Sequence, residues 1–403
     1  MTTPSAPTDL LLAVLGQGAA SVADDLRAHE WHALTAVAAR HGMLPLLRHR
    51  LQERGVAPLA PAAVRRQLDE AHTLGTLRAE AWRRQLCELL AALQARDVPV
   101  ILLKGAFLGT HAYPSAAVRP MGDLDLLVRA DMLERSMDAI ADAGYTRPDA
   151  DDWAAYRDHR HPPPLTRPGR LAVELHVTVE PCAAPFALPL GDLWARARPE
   201  PTCGLPALAL APEDLLLHLA THMGRSHLLG ASLVRVYDVA VWTARFGDVA
   251  DWDAVVRRAI ESGTQRFVST ALGLTQRLLG AAVPAEVRRA LRHESDDTAI
   301  EDAMALLDAT SVELWGAMSL TRPGVSAWAR LRRVGRALVV PPVKAAAPGD
   351  AAADELAFRA RRDAYRARWQ AVARALRDPR AVPTAVQRIA QVRRLRTWAI
   401  GSD

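Results

Sequence analysis

Three acidic residues near the middle of the chain have the types and spacing of a divalent-metal site. Asp123 and Asp125 are separated by one residue, so in a β-strand their side chains project from the same face. In a second apolar run the same alternation places Glu174 and His176 on one face. If the two strands are neighbours, Glu174 joins the aspartates. Three close carboxylates repel one another unless cations lie between them, and oxygen ligands favour Mg²⁺ or Mn²⁺ over zinc.

A paired-carboxylate metal site is suited to in-line displacement at phosphorus, in which the ions stabilise the attacking and leaving oxygens. Upstream, Lys104-Gly105-Ala106 follows an apolar run and opens a helix, whose N-terminal N–H groups suit a triphosphate. Arg119, four residues before Asp123, can add a guanidinium to the same anion. Neither the dinucleotide-binding glycine fingerprint nor the P-loop motif occurs.

The residues that carry this chemistry resemble the nucleotidyltransferase superfamily, and within it an uncharacterised bacterial family. The similar positions are Leu103-Lys104-Gly105, Tyr113, the run from Arg119 to Asp125, and the run from Val173 to His176. The resemblance implies a polymerase-beta-like core, with Asp123 and Asp125 binding metal and Glu174 as the third acid. It also implies that Lys104 and Gly105 lie near the nucleotide. The superfamily usually has Gly-Ser or Gly-Gly in the first turn, whereas Ala106 stands here and removes a hydroxyl contact to phosphate.

Each of these assignments has a structural alternative. The two aspartates could cap a helix or lie on a solvated strand, and Asp151 or Glu180 could replace Glu174 as the third acid. His176 could stabilise a hairpin or contact phosphate. The cation at the strand end, Lys104, could bind triphosphate or face solvent.

The helical part of the chain offers two further polar features. His218 and His222 stand at i and i+4, but Leu219 occupies the glutamate position of the HExxH motif, so we predict core or surface histidines rather than metal ligands. Asp238 lies in an otherwise apolar helix, where a charge needs a partner, and we interpret it as a structural salt-bridge residue.

The elements that position these residues follow from hydrophobic periodicity. A buried strand is predicted at Val98–Leu103, a helix from Ala106 to Tyr113, and a second strand at Asp123–Val128. Asp131 is predicted to cap a helix that ends at Gly144. A hairpin around Pro168-Gly169 carries Glu174. Helical spacing dominates residues 9–96 and the chain after Pro212. We therefore predict an α+β fold, a small mixed-sheet nucleotidyltransferase core flanked by extensive helical regions.

Composition bounds the class of protein. The chain has 403 residues, 50% hydrophobic and 24% charged, as expected of a globular protein with several domains. We predict a helical region at 1–96, the core at 97–211, a helical bundle at 212–340, and a linker with basic helices at 341–403.

Cys87, Cys182 and Cys203 are scattered, so we expect no structural disulfide and a cytoplasmic location. No apolar run approaches the ~20 residues of a membrane span.

Charge is concentrated at the C-terminal end. Twelve arginines and only three acidic residues lie between Glu355 and Arg396, in a chain of net charge +5. This segment is either a solvated helical face or a surface for a polyanion such as RNA.

Together these features predict an enzyme that transfers a nucleoside monophosphate from an NTP, with ATP the expected donor, to a hydroxyl acceptor. The acceptor can be a small molecule, a protein or an RNA 3′ end. Mg²⁺ or Mn²⁺ is the expected cofactor, held by Asp123, Asp125 and Glu174, with Lys104, Gly105, Arg119 and His176 binding the nucleotide. The alternative is a catalytically inactive nucleotide-binding or scaffold protein with the same fold.

Overall fold

The computed structural model describes residues 7–16, 26–149, 161–179, 186–226, 229, 233–294, 296–307, 309, 317–318, 321 and 381–400. Asp151 and Glu180, the predicted linker at 341–350 and most of the arginine-rich segment lie outside these residues. The chain divides into two compact units, one comprising Met1–Ser226 and Ser232–Asp296, the other His227–Ala231 and Asp297–Asp403. The predicted division into four regions stays a prediction.

The first unit is an α+β structure. Five strands form one mixed sheet: β1 (Ile101–Leu102), β2 (Asp123–Leu127), β3 (Ala172–His176), β4 (Arg198–Pro199) and β5 (Leu208–Ala209). Their order across the sheet is β3-β2-β1-β5-β4. The β2 strand is antiparallel to β1 and parallel to β3, and β5 is parallel to β1 and antiparallel to β4. The sheet is mixed, as predicted.

Helices precede and follow this sheet in the sequence. In the described part of the chain the helices that come first are α1 (Pro7–Leu15), α2 (Ala28–Arg40), α3 (Leu44–Glu53) and α4 (Ala62–Gln94). Among the described residues, α5 (Lys104–Phe107) and α6 (Leu133–Asp142) are interspersed with the first strands, and α7 (Leu190–Arg196) precedes β4. The unit continues with α8 (Pro212–Thr221), α9 (Leu233–Phe246), α10 (Trp252–Glu261), α11 (Gln265–Leu279) and α12 (Ala285–Leu291).

The long helix α4 packs its apolar stripe inward because its large side chains recur at helical spacing. Buried members of the stripe are Val64, Leu68, Trp82, Leu86, Leu89 and Leu93. Gln85, also buried, donates to Leu171 O at 2.7 Å and accepts from Leu171 N at 2.9 Å. These two bonds hold the residue that precedes β3 against α4.

The local predictions around the sheet are largely confirmed. Lys104–Phe107 is helical, a π-helical turn follows at Leu108–Ala112, and the segment ends before Pro114. Leu165 pairs with Val173 across the predicted hairpin. The capping prediction is wrong: Asp131 lies in a 3-10 turn, and α6 begins at Leu133 with no side-chain cap.

The disulfide expectation is also wrong. Cys87 on α4 and Cys203 between β4 and β5 are bonded, with Cα atoms 5.7 Å apart across 116 positions of sequence. Spacing motifs read from sequence detect nearby pairs, whereas this pair is brought together by the fold. The expected cytoplasmic location therefore loses its cysteine argument and stays a prediction.

The described residues of the second unit include α13 (Asp296–Leu307), apart from its first residue, and α14 (Ala381–Ile400). Arg394 Nε donates to Asp302 Oδ2 at 2.7 Å, Arg388 Nη1 donates to Ala305 O, and Arg396 Nη2 donates to Met318 O at 2.8 Å. Part of the basic C-terminal segment is thus bound within its own unit. No helix in the described part of the chain has the length and apolar character to cross a bilayer.

Candidate active site

The turn that follows β1 is shaped by tight packing. Lys104 has a backbone φ of +39°, in the left-handed region that a residue with a side chain rarely adopts. At the next residue, Gly105, a Cβ would overlap Arg119 Nη1 and lie 2.6 Å from Met121 Sδ. Only glycine fits at Gly105, because the guanidinium and the thioether occupy the space of a side chain.

The two strands that carry the acids lie side by side. β2 and β3 are parallel neighbours, with Asp125 opposite Glu174 and Asp123 opposite Ala172. Residues directly opposite one another project from the same face, so Asp125 and Glu174 share a surface of the sheet. This confirms the strand neighbourhood predicted from the alternating pattern.

Asp125 is held by two nitrogen donors at one oxygen. Its Oδ1 lies 2.6 Å from Lys104 Nζ and 2.8 Å from His176 Nε2. The exposed side-chain fractions are 5% for Asp125, 9% for Lys104 and 0% for His176. Burial alone would raise the pKa of Asp125, but the Lys104 charge and the His176 hydrogen bond outweigh it and hold that pKa well below its usual range. Asp125 is therefore an ionised carboxylate in a nearly dry site.

The position of Lys104 follows from the sheet. Leu103 N donates to Asp125 O at 3.2 Å, which places the next residue directly beside Asp125. In this structure the ammonium group of Lys104, which was predicted to bind triphosphate, is paired with the carboxylate of Asp125. It does not face solvent, which was the alternative prediction for Lys104. Its role toward a nucleotide stays a prediction.

Glu174 contacts two imidazoles. Its Oε2 lies 3.3 Å from His161 Nε2 and 3.7 Å from His176 Nε2. Burial would raise the pKa of Glu174, but the contact with His176 and the proximity of His161 and Lys104 lower it below its ordinary value. His161 Nδ1 lies 2.7 Å from Pro162 O and can donate to it, which directs Nε2 toward Glu174.

His161 is a site residue that sequence reasoning missed. It belongs to a proline-rich stretch, and its only sequence signal is a histidine followed by three prolines. Among the described residues, His161, Glu174 and His176 form a group of three whose ligand atoms all lie within 4.8 Å of one another. This mixed nitrogen and oxygen set can hold a divalent ion, whereas the joint role of Asp123, Asp125 and Glu174 stays a prediction.

Arg119 is bound by an acid from α9. Its Nε lies 2.8 Å from Asp238 Oδ1 and its Nη2 lies 2.8 Å from Asp238 Oδ2, while Tyr113 OH donates to Oδ1 at 2.7 Å. Burial lowers the pKa of Arg119, but Asp238 more than compensates and raises it. The interpretation of Asp238 as a salt-bridge residue is confirmed. The guanidinium of Arg119 thus lies between Asp238 and Gly105, and its predicted contact with an anion stays a prediction.

Arg235 is a second residue that sequence reasoning passed over. It lies three positions before Asp238 on α9, and so on the same side of that helix. Within the described residues it has no hydrogen-bonded acid, although its charge interacts with Asp238, Asp123 and Asp125. Burial is the largest influence and lowers the pKa of Arg235. Arg235 is therefore a half-buried cation whose charge acts on the acids of this region.

The helical histidines His218 and His222 lie close together. His218 is fully buried in α8, and its ring centroid lies 6.3 Å from that of His222. Neither belongs to the group of three ligand-forming side chains found in the described residues.

A family model described as "uncharacterised nucleotidyltransferase" matches residues 27–280. The chain belongs to this nucleotidyltransferase family. The match covers more than half of the chain and includes every element that carries the site. This nucleotidyltransferase is thus an enzyme of the class that transfers phosphorus-containing groups. No curated protein and no solved structure matches it.

Proposed function

We propose that this nucleotidyltransferase moves a nucleoside monophosphate from an NTP, with ATP as the expected donor, to a hydroxyl acceptor. The observation that carries the proposal is the placement of Asp125 opposite Glu174 on parallel strands, beside the turn at Gly105. Both carboxylates have lowered pKa values and are therefore negatively charged at neutral pH.

We infer that Mg²⁺ or Mn²⁺ is the cofactor, because the ligands proposed for it are carboxylate oxygens. Both nitrogen donors on Asp125 bind Oδ1, and the described residues offer no hydrogen bond to Oδ2. Oδ2, Asp123 and Glu174 supply the hard oxygen ligands that these ions prefer. Such ions, when bound, neutralise phosphate charge and stabilise the attacking and leaving oxygens.

The chain's own residues have separable roles in this proposal. Lys104 and His176 fix the orientation of Asp125 from one side. Gly105 leaves the turn free of a side chain, so that backbone N–H groups can approach phosphate. Arg235 adds a guanidinium that has no acidic hydrogen-bond partner among the described residues, and we assign it to the triphosphate. Glu174, whose carboxylate contacts His161, takes the proton from the hydroxyl group of the acceptor.

The acceptor classes are unequally supported. A small molecule or a protein hydroxyl remains compatible with the site. For an RNA 3′ end the expected surface was the basic C-terminal segment, yet Arg388, Arg394 and Arg396 are hydrogen-bonded within their own unit. This weakens the RNA alternative.

Transfer of label from an α-³²P NTP, with release of pyrophosphate, tests the proposal. Asp125→Asn and Glu174→Gln should lower the rate by roughly 10²-fold or more, because each removes charge from the metal ligands. Asp131→Asn, an exposed residue of a 3-10 turn, is the matched control and should retain the activity. NTP binding without any pyrophosphate release, across varied acceptors, would instead support the inactive scaffold.

A further inference from the structure

A cavity of about 570 Å³ lies in the first unit, on the side of the sheet where β2 and β3 begin. Its walls come from residues 39–45, the α4 segment 71–85, the segment 116–121, and residues 169–171. The volume is in the range of small-molecule pockets, about 300 to 1,000 Å³.

The cavity adjoins the site through the segments that lead into the acidic strands. Met121 lines the cavity and stands two residues before Asp123. Leu171 also lines it and directly precedes Ala172, the residue opposite Asp123. Two residues of extended chain span about 7 Å. Met121 on the cavity wall is therefore within about 7 Å of Asp123, the first aspartate of the proposed metal site.

The cavity also adjoins the phosphate turn. Arg119 Nη1 and Met121 Sδ occupy the space beside Gly105, and both residues contribute to the cavity wall. Another part of the wall is fixed by the two hydrogen bonds between Gln85 and the backbone of Leu171. Arg119 and Met121 therefore border both the cavity and the turn.

The lining restricts the chemistry of that molecule. It is largely apolar, formed by alanine, leucine, proline, methionine and Trp82, and none of its described residues is acidic. Its charged groups are three arginines: Arg119 is paired with Asp238, and Arg170 donates to Glu88 at 2.9 Å. Arg78 has no acidic hydrogen-bond partner among the described residues. The lining therefore favours an apolar body with one negative group and disfavours a polycation such as an aminoglycoside.

We propose that this cavity is the acceptor site and that it takes a small, largely apolar hydroxyl compound carrying one acidic group, which pairs with Arg78. The inference rests on the proposed function. The acceptor oxygen forms a bond to the α-phosphorus, the bond between that phosphorus and the bridging oxygen breaks, and pyrophosphate leaves. Glu174 takes the hydroxyl proton, so atoms and charge balance.

Fluorescence titration with anilinonaphthalene sulfonate, an apolar anion, tests the site on the full chain. We expect one binding site, competition by ω-hydroxydecanoate, and no competition by a polycationic aminoglycoside. Ala71→Leu fills the cavity from α4 and should weaken binding roughly tenfold or more. Ala91→Leu is the matched control, an exposed alanine on the same helix outside the cavity lining.

A second pair of variants tests the charge. Arg78→Gln should weaken ω-hydroxydecanoate about tenfold, the size of one charge-assisted hydrogen bond, and leave uncharged decanediol unchanged. Arg66→Gln, exposed on the same helix, should change neither. Equal binding by Ala71→Leu and the unaltered chain would overturn the proposal.

Turnover separates this inference from the proposed function. Asp125→Asn should bind ω-hydroxydecanoate as well as the unaltered chain does but transfer nothing to it. Transfer from NTP to other acceptors, without binding of either probe, would overturn the acceptor cavity and leave the proposed function intact. Binding of the probes with no NTP turnover at all would contradict the proposed function and, with it, the acceptor role.

Discussion

Lys104 Nζ lies 2.6 Å from Asp125 Oδ1, and both side chains are almost excluded from solvent. The lysine reaches this position because its backbone φ of +39° turns the chain at the end of β1. Lys104 is thereby paired with Asp125, the second acid of the Asp-x-Asp pair. The cost of desolvating both charges offsets much of their attraction. We therefore expect the pair to hold the two side chains in one geometry more than to raise the free energy of unfolding.

Breaking that pair should be costly. Lys104→Met leaves a buried carboxylate without its cation, and we expect a loss of about 3 to 5 kcal/mol in the free energy of unfolding, measured by urea denaturation. Lys104→Met with Asp125→Asn should recover most of the loss. Arg84→Met breaks the exposed pair with Glu80 and should cost less than ~1 kcal/mol. Equal effects of the two single variants would contradict the role of burial.

Gly105 should tolerate no side chain. Gly105→Ala places a Cβ against Arg119 Nη1 and Met121 Sδ, so the turn must shift. We expect NTP affinity, measured by isothermal titration, to fall roughly tenfold or more. Gly191→Ala is the control, since its Cβ would have no neighbour within 4 Å. Unchanged affinity in Gly105→Ala would show that the turn does not approach the nucleotide.

Arg235 should bind the triphosphate. Arg235→Gln is expected to weaken NTP binding about tenfold, the size of one charge-assisted hydrogen bond. Arg245→Gln, an exposed arginine on the same helix, should leave the affinity unchanged. The melting temperature of both variants checks that the fold is intact. Equal NTP affinity of Arg235→Gln and Arg245→Gln would show that Arg235 does not bind the triphosphate.

Alkaline pH should destabilise the enzyme through Tyr113. Burial and the neighbouring Asp238 raise its pKa well above the ordinary value. Because the folded pKa exceeds the unfolded one, this stability is complete below about pH 10 and is lost as pH rises from there toward the folded pKa. Tyr113→Phe should flatten the fall of unfolding free energy above pH 10. Part of the slope should remain, since Tyr145 and Tyr237 also have raised pKa values. An unchanged slope would contradict this assignment.

The disulfide should contribute to stability. Cys87 and Cys203 close a loop of 116 residues, so we expect Cys203→Ala to cost roughly 3 to 5 kcal/mol in urea denaturation. Reduction of the unaltered chain should have a similar effect, and reduction of Cys203→Ala should add little. A non-reducing peptide map should contain the cross-linked pair. Its absence would contradict the bond.

Much of the local structure was predictable from the sequence. The alternation in Asp123–Leu127 and Ala172–His176 fixes which side chains share a face, because strand geometry repeats every two residues. Pro114 and Gly144 mark element ends for similarly local reasons. The sequence therefore predicted that Asp123 and Asp125 share one face, and that Glu174 joins them if the two strands are neighbours.

Only the tertiary structure decided which residues of the chain pair with one another. Lys104 with Asp125, Arg119 with Asp238, His161 with Glu174, and Cys87 with Cys203 are separated by 13 to 119 positions along the chain. The sequence by itself determined which residue types line each strand and turn, since those depend on neighbours a few positions away. Which buried charge meets which depends on how helices and sheet pack, because a desolvated ion must find its partner wherever the fold brings one close.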